Sequence, residues 1–154
     1  MNALELLKQD HEKVADLFAQ VESTKDQKKH HQLFEKIKAE LEAHTHIEET
    51  ILYPALEQHA GLKDITLEAY EEHRQIKTLL SEITALSDGS KRFDAKLKVM
   101  GENVEHHVEE EETEMFPKIM KIYDSAKLDQ LGQELEAEKK KFTKKSPKYF
   151  TSSK

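Results

Sequence analysis

Leu4, Leu7, His11, Val14, Phe18 and Val21 recur three and four positions apart, the spacing that lines side chains along one face of an α-helix. The spacing returns three more times. It carries Phe34, Ile37, Leu41, His44, Glu48, Ile51 and Ala55; then Ala69, His73, Ile76, Leu80 and Ile83; then Phe93, Leu97, Met100, Val104, His107 and Glu111, continuing after a shift near Pro117 through Met115, Ile119 and Ile122. The pattern predicts helices over about 2–21, from an Asp26 cap to about His59, from an Asp64 cap to the break at Ser87-Asp-Gly-Ser90, and from a Ser90 cap to about Ile122. Pro54 falls inside the second helix and is expected to kink it, and Gly61 to end it. Short polar connections make consecutive helices antiparallel, so the expected fold is all-α, an up-down-up-down four-helix bundle. Leu128, Leu131 and Leu135 give a sparser apolar edge, and with it a short extra C-terminal helix over about 125–142 that docks outside the bundle. The expected divisions are a bundle over 1–125, a docking helix over 126–145, and a polar, basic tail over 146–154 that should stay disordered.

Composition narrows the chemistry. In 154 residues there is room for one domain with one core, and scarce glycine (4) and proline (3) with 36% charged residues suit long solvated helices. The chain has no cysteine, which excludes disulfides, zinc-thiolate sites and iron-sulfur clusters on its own residues. Any metal must therefore take nitrogen and oxygen donors. No apolar stretch reaches membrane-spanning length and residues 1–10 lack a signal-peptide layout, so a cytoplasmic protein with no membrane partner is expected. A net charge of −7, without Lys and Arg clusters on the body of the chain, argues against a nucleic-acid partner.

The apolar stripes are interrupted at His11, His44, Glu48, His73, His107 and Glu111, and the interruptions repeat. His44-Thr-His-Ile-Glu48-Glu-Thr-Ile-Leu-Tyr53-Pro54 and His107-Val-Glu-Glu-Glu111-Glu-Thr-Glu-Met-Phe116-Pro117 share one frame and lie 63 positions apart, while Asp10-His11 and Glu72-His73 lie 62 apart. Each half thus supplies a lone His, then a His and a Glu one helical turn apart. Measured from the connections, the four His fall near one layer of the bundle. Burying carboxylates and imidazoles costs several kcal/mol unless they are paired, and carboxylates sharing a layer repel. A pair of cations resolves this, and the donors suit iron, manganese or zinc. A lone His on an apolar face is ordinarily a hydrogen-bonded structural residue; four in register with two Glu favour metal.

These motifs resemble the hemerythrin-like (HHE cation-binding) non-haem di-iron family over roughly residues 1–125. The resemblance implies two iron ions with an oxo or hydroxo bridge. His11 and His44 would serve one, His73 and His107 the other, with Glu48 and Glu111 bridging. It also implies a small diatomic gas or peroxide as partner, in a protein that binds or reacts with dioxygen, peroxide or nitric oxide. The alternatives within the family are a redox or repair factor that donates iron or detoxifies nitric oxide or peroxide, and a reversible oxygen carrier or sensor. Oxygen carriers have a further His one turn after the third-helix ligand, where this chain has Lys77. That departure points to the nitric-oxide and repair relatives, which usually carry an extra N-terminal domain for which the residues before His11 leave no room.

Two further residues bear on the centre. The phenol of Tyr53, which Phe116 lacks, could hydrogen-bond to or ligate a metal, although a core aromatic is the plainer expectation. Lys77 is expected to snorkel to the surface, where it cannot ligate while protonated. Glu49 and Glu112 are expected just outside the ligands. The repeat sets His46 aside, because 63 positions later stands Glu109. His30, His31, His59 and His106 read as surface.

Overall fold

The computed structural model describes residues 1–86 and 90–145, which form an all-α bundle with an extra C-terminal helix. Helix α1 spans Ala3–Glu22 and α2 spans Gln27–Ile47. After a wide turn over Glu48–Leu52 comes α3, Tyr53–Leu56; α4 follows over Ala60–Thr84 and α5 over Lys91–Glu110. A second wide turn, Glu111–Met115, leads into α6, Phe116–Ile122, and α7 spans Ser125–Lys145. The expected break at 87–89 and the tail at 146–154 lie outside the described residues.

Local chemistry sets these ends. Asn2 opens α1 through a capping box, its side chain accepting from Glu5 N–H while the Glu5 carboxylate accepts from Asn2 N–H, both at 2.9 Å. Asp26 and Ser90 cap α2 and α5 as expected. The second connection differs from the expectation. Helix α4 begins at Ala60 behind an extended His59, not behind Asp64, and Gly61 lies inside it instead of ending the helix before. Starting early lets Leu62 be fully buried, and Gly61, with open space where a Cβ would sit, costs only its weak helix propensity.

The kink expected at Pro54 takes a specific form. Each wide turn is π-helical, and it closes with the N–H of residue 53 or 116 bonded to the carbonyl of Glu48 or Glu111, five residues back. In a regular helix the ring of Pro54 would clash with the Thr50 carbonyl and that of Pro117 with the Thr113 carbonyl; widening the preceding turn relieves both. It also explains the phase shift near Pro117. With the extra residue, Met115 and Ile119 stay buried, while Ile122, expected on the same stripe, is exposed.

Four His form a layer that divides the core. On one side Val14, Phe34, Ile37, Leu41, Ile76, Leu97 and Met100 form one apolar cluster; on the other, Leu4, Leu7, Ile47, Leu56, Leu62, Phe116 and Ile119 form a second. Leu128, Leu131 and Leu135 of α7 are buried in the second cluster, each contributing on the order of 2 kcal/mol. Gly132 permits that docking: a Cβ there would lie 2.6 Å from the Met1 carbonyl oxygen. One expected surface residue is not on the surface. His30 is 8% exposed, hydrogen-bonded to Asp94 of α5 and to carbonyls at the end of α1. Its burial comes from a tertiary contact between helix ends that its position off the α2 stripe could not reveal. His31 and His59 are half-buried, with their rings against Phe93 and Tyr123.

Candidate metal centre

The six interrupting residues converge. His11, His44, Glu48, His73, His107 and Glu111 are all at most 5% exposed, and their donor atoms fall into two overlapping groups, His11-His44-Glu48-Glu111 and Glu48-His73-His107-Glu111. Both Glu divide their oxygens between the groups. Glu48 places Oε2 3.3 Å from His44 Nε2 and Oε1 3.0 Å from His73 Nε2. Glu111 places Oε1 3.1 Å from His11 Nε2 and Oε2 3.3 Å from His107 Nε2. The His pairs match as well, with ring centroids 4.9 Å apart for His11 and His44 and 4.8 Å for His73 and His107, both at 67°.

The other ring nitrogen of each His faces a carboxylate. His11 Nδ1 lies 2.6 Å from Glu112, His44 Nδ1 2.9 Å from Asp10, His73 Nδ1 2.7 Å from Glu49, and His107 Nδ1 2.6 Å from Glu72. The duplication extends to these partners: Asp10 precedes His11 as Glu72 precedes His73, and Glu49 follows Glu48 as Glu112 follows Glu111. An Nδ1–H held this way fixes the tautomer and turns the Nε2 lone pair into the core. Asp10 and Glu72 were not singled out from the sequence for this task, although they stood in the repeated dipeptides that could have marked them.

Electrostatics follow from this crowding. Burial would lower the pKa of His44, but the charge of Glu48 and the hydrogen bonds to Asp10 and Glu48 hold it well above the usual value. His73 is raised against burial by its bonds to Glu48 and Glu49. His107 is pushed up to about 10, against burial, by the charge and hydrogen bond of Glu111 and by the bond to Glu72. Burial would raise Glu111, but His107 holds it well below the carboxylate range. In the metal-free protein, then, His44, His73 and His107 favour their protonated forms against the buried carboxylates that face them. A metal ion must displace those protons, which couples uptake to proton release.

The donors fit metal ions on a direct count of orphaned atoms. His11 Nε2, His44 Nε2, Glu48 Oε2 and Glu111 Oε1 are buried with no hydrogen-bond partner, so their close pairs are misaligned for hydrogen bonding and share a common space. All four belong to the first group. In the second group the Tyr53 hydroxyl lies 2.7 Å from Glu111 Oε2, 3.1 Å from Glu48 Oε1 and 3.2 Å from His73 Nε2. Its single proton can satisfy only one of them at a time. Burial and the charges of Glu111 and Glu48 raise the Tyr53 pKa well above normal, so without metal it is a neutral phenol.

The remaining sequence candidates lie elsewhere. Lys77 is turned outward, its ammonium 2.8 Å from Glu49 Oε1, while the other oxygen of Glu49 holds His73. His46 is outside both groups; it bonds Glu138 at 2.7 Å and lies against the ring of Phe142 at a tilt, both on α7. His106 is exposed, 3.1 Å from Glu110. The Glu110 carboxyl is pushed up to about 7 by its hydrogen bond to Glu72, then by burial and the charge of Glu72. A contact no motif signalled is Lys139 of α7, whose ammonium reaches Asp10 at 2.6 Å.

A helical bundle that buries two overlapping sets of His and carboxylate donors belongs to the metal-binding helical proteins. The chain matches the Hemerythrin HHE cation binding domain over residues 2–119 and belongs to that family. It is 33% identical over 141 residues to a DNA nickase of Nostoc sp. (strain PCC 7120), a match covering 92% of this chain but only 40% of that longer protein. An uncharacterized protein of Mycobacterium tuberculosis is 30% identical over 139 residues, 89% of this chain and 84% of that one. The crystal structure of a Hemerythrin HHE cation binding domain-containing protein from Mycobacterium kansasii, described as a homolog of that protein, superposes with a TM-score of 0.81 at 26% identity. That match covers 99% of this chain and 94% of the other. Among the described residues, no helix is long and apolar enough to cross a membrane.

Proposed function

We propose that His11, His44, His73, His107, Glu48 and Glu111 hold two iron ions, and that the protein is a non-haem di-iron protein that binds or reacts with dioxygen, peroxide or nitric oxide. The observation that carries this reading is the split of both buried carboxylates, each giving one oxygen to either His pair. Single-ion binding would leave half of those oxygens idle in the core. Once bound, the pair supplies redox and Lewis-acid chemistry toward a small molecule. The chain does the rest. Asp10, Glu49, Glu72 and Glu112 orient the imidazoles, and the apolar walls keep water out.

Size supports a small partner. The cavity against the four imidazoles, walled by Val14, Leu41, Ile76 and Val104, has a volume of only about 10 Å³. That is about the room of a single water molecule. Lys77 bonded to Glu49 adds no further imidazole beside His73, which favours consumption of peroxide or nitric oxide over long storage of dioxygen. The nickase activity is not carried over: it belongs to a protein of which this chain spans 40%, and a net charge of −7 opposes a phosphate backbone.

Metal analysis after iron reconstitution tests the centre, with two irons per chain expected and one or none refuting it. Visible spectra of reduced protein mixed with air, peroxide and nitric oxide test the reactivity. Rapid oxidation in air without a lasting oxygenated spectrum is expected; an oxygenated spectrum that persists for hours would place the protein among the carriers.

A further inference from the structure

Asp10 orients His44, and its own orientation needs a cause. The last torsion of an aspartate is broad, so the carboxylate turns to whatever partners it has. Two partners on different helices hold this one. Oδ2 accepts from the Nδ1–H of His44 on α2 at 2.9 Å, and Oδ1 accepts from the ammonium of Lys139 on α7 at 2.6 Å. Asp10 is 5% exposed and the Lys139 side chain 25%, so the lysine also covers the carboxylate it binds. On the other side of the centre, Glu49 behind His73 is held by Lys77, which stands on the same helix as His73 and is 51% exposed.

Helix α7 reaches Asp10 from outside the matched domain, which ends at residue 119, whereas α7 starts at Ser125. It lies on α1, α2 and the first π turn, the elements that carry His11, His44 and Glu48. Its buried leucines end at Leu135. Beyond them three side chains grip the bundle. Glu138 and Phe142 both meet His46, at 2.7 Å and with ring centroids 4.7 Å apart, and His46 lies outside the donor groups. Lys139 instead meets a carboxylate that is bonded to a donor.

We propose that Lys139 is a positioning residue for the His11-His44 side of the centre: it pins Asp10 against His44, and so couples the docking of the end of α7 to retention of the ion on that side. The proposal rests on the di-iron reading. Without the ammonium, Asp10 is a buried carboxylate with one partner, a costly state. It relieves that cost by turning toward water in the gap the lysine leaves, and the His44 ring then loses its fixed direction. The coupling is reciprocal, because an ion that fixes His44 also fixes Asp10 and, through it, Lys139.

The test compares full-length wild type with Lys139→Met, Lys139→Arg and Glu138→Gln. Methionine keeps much of the stem without the charge, arginine restores the charge, and glutamine at 138 loosens the same end of α7 without touching Asp10. After iron reconstitution, one of the two ions should leave Lys139→Met for a ferrous chelator about tenfold faster than it leaves wild type, in line with loss of a group that orients a ligating imidazole. The other ion should leave at the wild-type rate, and Lys139→Arg and Glu138→Gln should release both at that rate. Iron loading should also slow hydrogen exchange over residues 136–145 in wild type but not in Lys139→Met. Wild-type release from Lys139→Met, or equally fast release from Glu138→Gln, would overturn the proposal. If wild type and variants all take up no iron, the di-iron reading fails instead, and the pinning is decided in the metal-free protein. A proton resonance of His44 Nδ1–H that Lys139→Met loses and Lys139→Arg keeps upholds it; any other pattern refutes it.

Discussion

Asp10→Asn isolates what an outer carboxylate contributes. Asp10 is 5% exposed and lies between the Nδ1 of His44 and the ammonium of Lys139. Burial alone would raise its pKa, but the bonds and charges of His44 and Lys139 prevail and lower it from 3.8 to about 2. A shift of about 2 units corresponds to about 2.5 kcal/mol of folded-state preference for the carboxylate. Because the folded pKa is depressed, that stability is fully present above about pH 4 and is lost as pH falls toward 2. Asn keeps the shape and an oxygen for Nδ1–H but removes the charge, so metal-free Asp10→Asn should be about 2 kcal/mol less stable at pH 7. The gap to wild type should begin to close below about pH 4. Loss of the anionic partner should also weaken metal binding roughly tenfold to a hundredfold. Urea unfolding across pH 7 to 3 and chelator competition measure the two effects. Equal stability at pH 7 together with equal metal affinity would refute the reasoning.

Glu48→Ala removes an oxygen donor from both groups at once, so metal content should fall below one ion per chain with a lower Tm for the reconstituted protein; a variant that still holds two ions would show that Glu48 is not shared. His46→Ala should leave metal content unchanged while loosening the end of α7 by about 1 kcal/mol, through loss of the Glu138 bond and the Phe142 ring contact. Faster hydrogen exchange over α7 checks this, and loss of iron would mean that His46 belongs to the centre. Tyr53→Phe makes the first half match Phe116, and the expected outcome is an altered visible spectrum with two irons retained; identical spectra would remove the phenol from the metal's surroundings.

The stability cost now expected for His46→Ala shows where sequence pattern stops. From spacing alone that change should cost nothing, because His46 lies off the stripe and outside the repeat. Its partners, Glu138 and Phe142, are 92 and 96 positions away on a helix whose docking angle no local pattern records. His30 and Lys139 were hidden for the same reason. What is local and periodic was legible: the stripes, the caps at Asp26 and Ser90, and the six core-facing His and Glu. The π turns were half legible, since Pro54 and Pro117 announced a disturbance and the phase shift after the second showed its size. Only the backbone places that extra residue at Glu48 and Glu111.

That placement makes the two halves alike at the ligands and unlike around them. A widened turn after each Glu swings the following aromatic toward the layer, and there the halves diverge: Tyr53 brings a hydroxyl to the His73 side, whereas Phe116 lays a ring 6.2 Å from His11 and stacked upon it. The outer layer diverges as well, with the ammonium of Lys139 against Asp10 behind His44. A phenol beside His73 offers an oxygen that the other pair lacks. The two donor groups therefore differ electronically although their geometry nearly repeats. Ions bound there should differ in potential and in readiness to take a further ligand, and the His11-His44 side, with four orphaned donor atoms and no phenol, is where a first metal ion gains most.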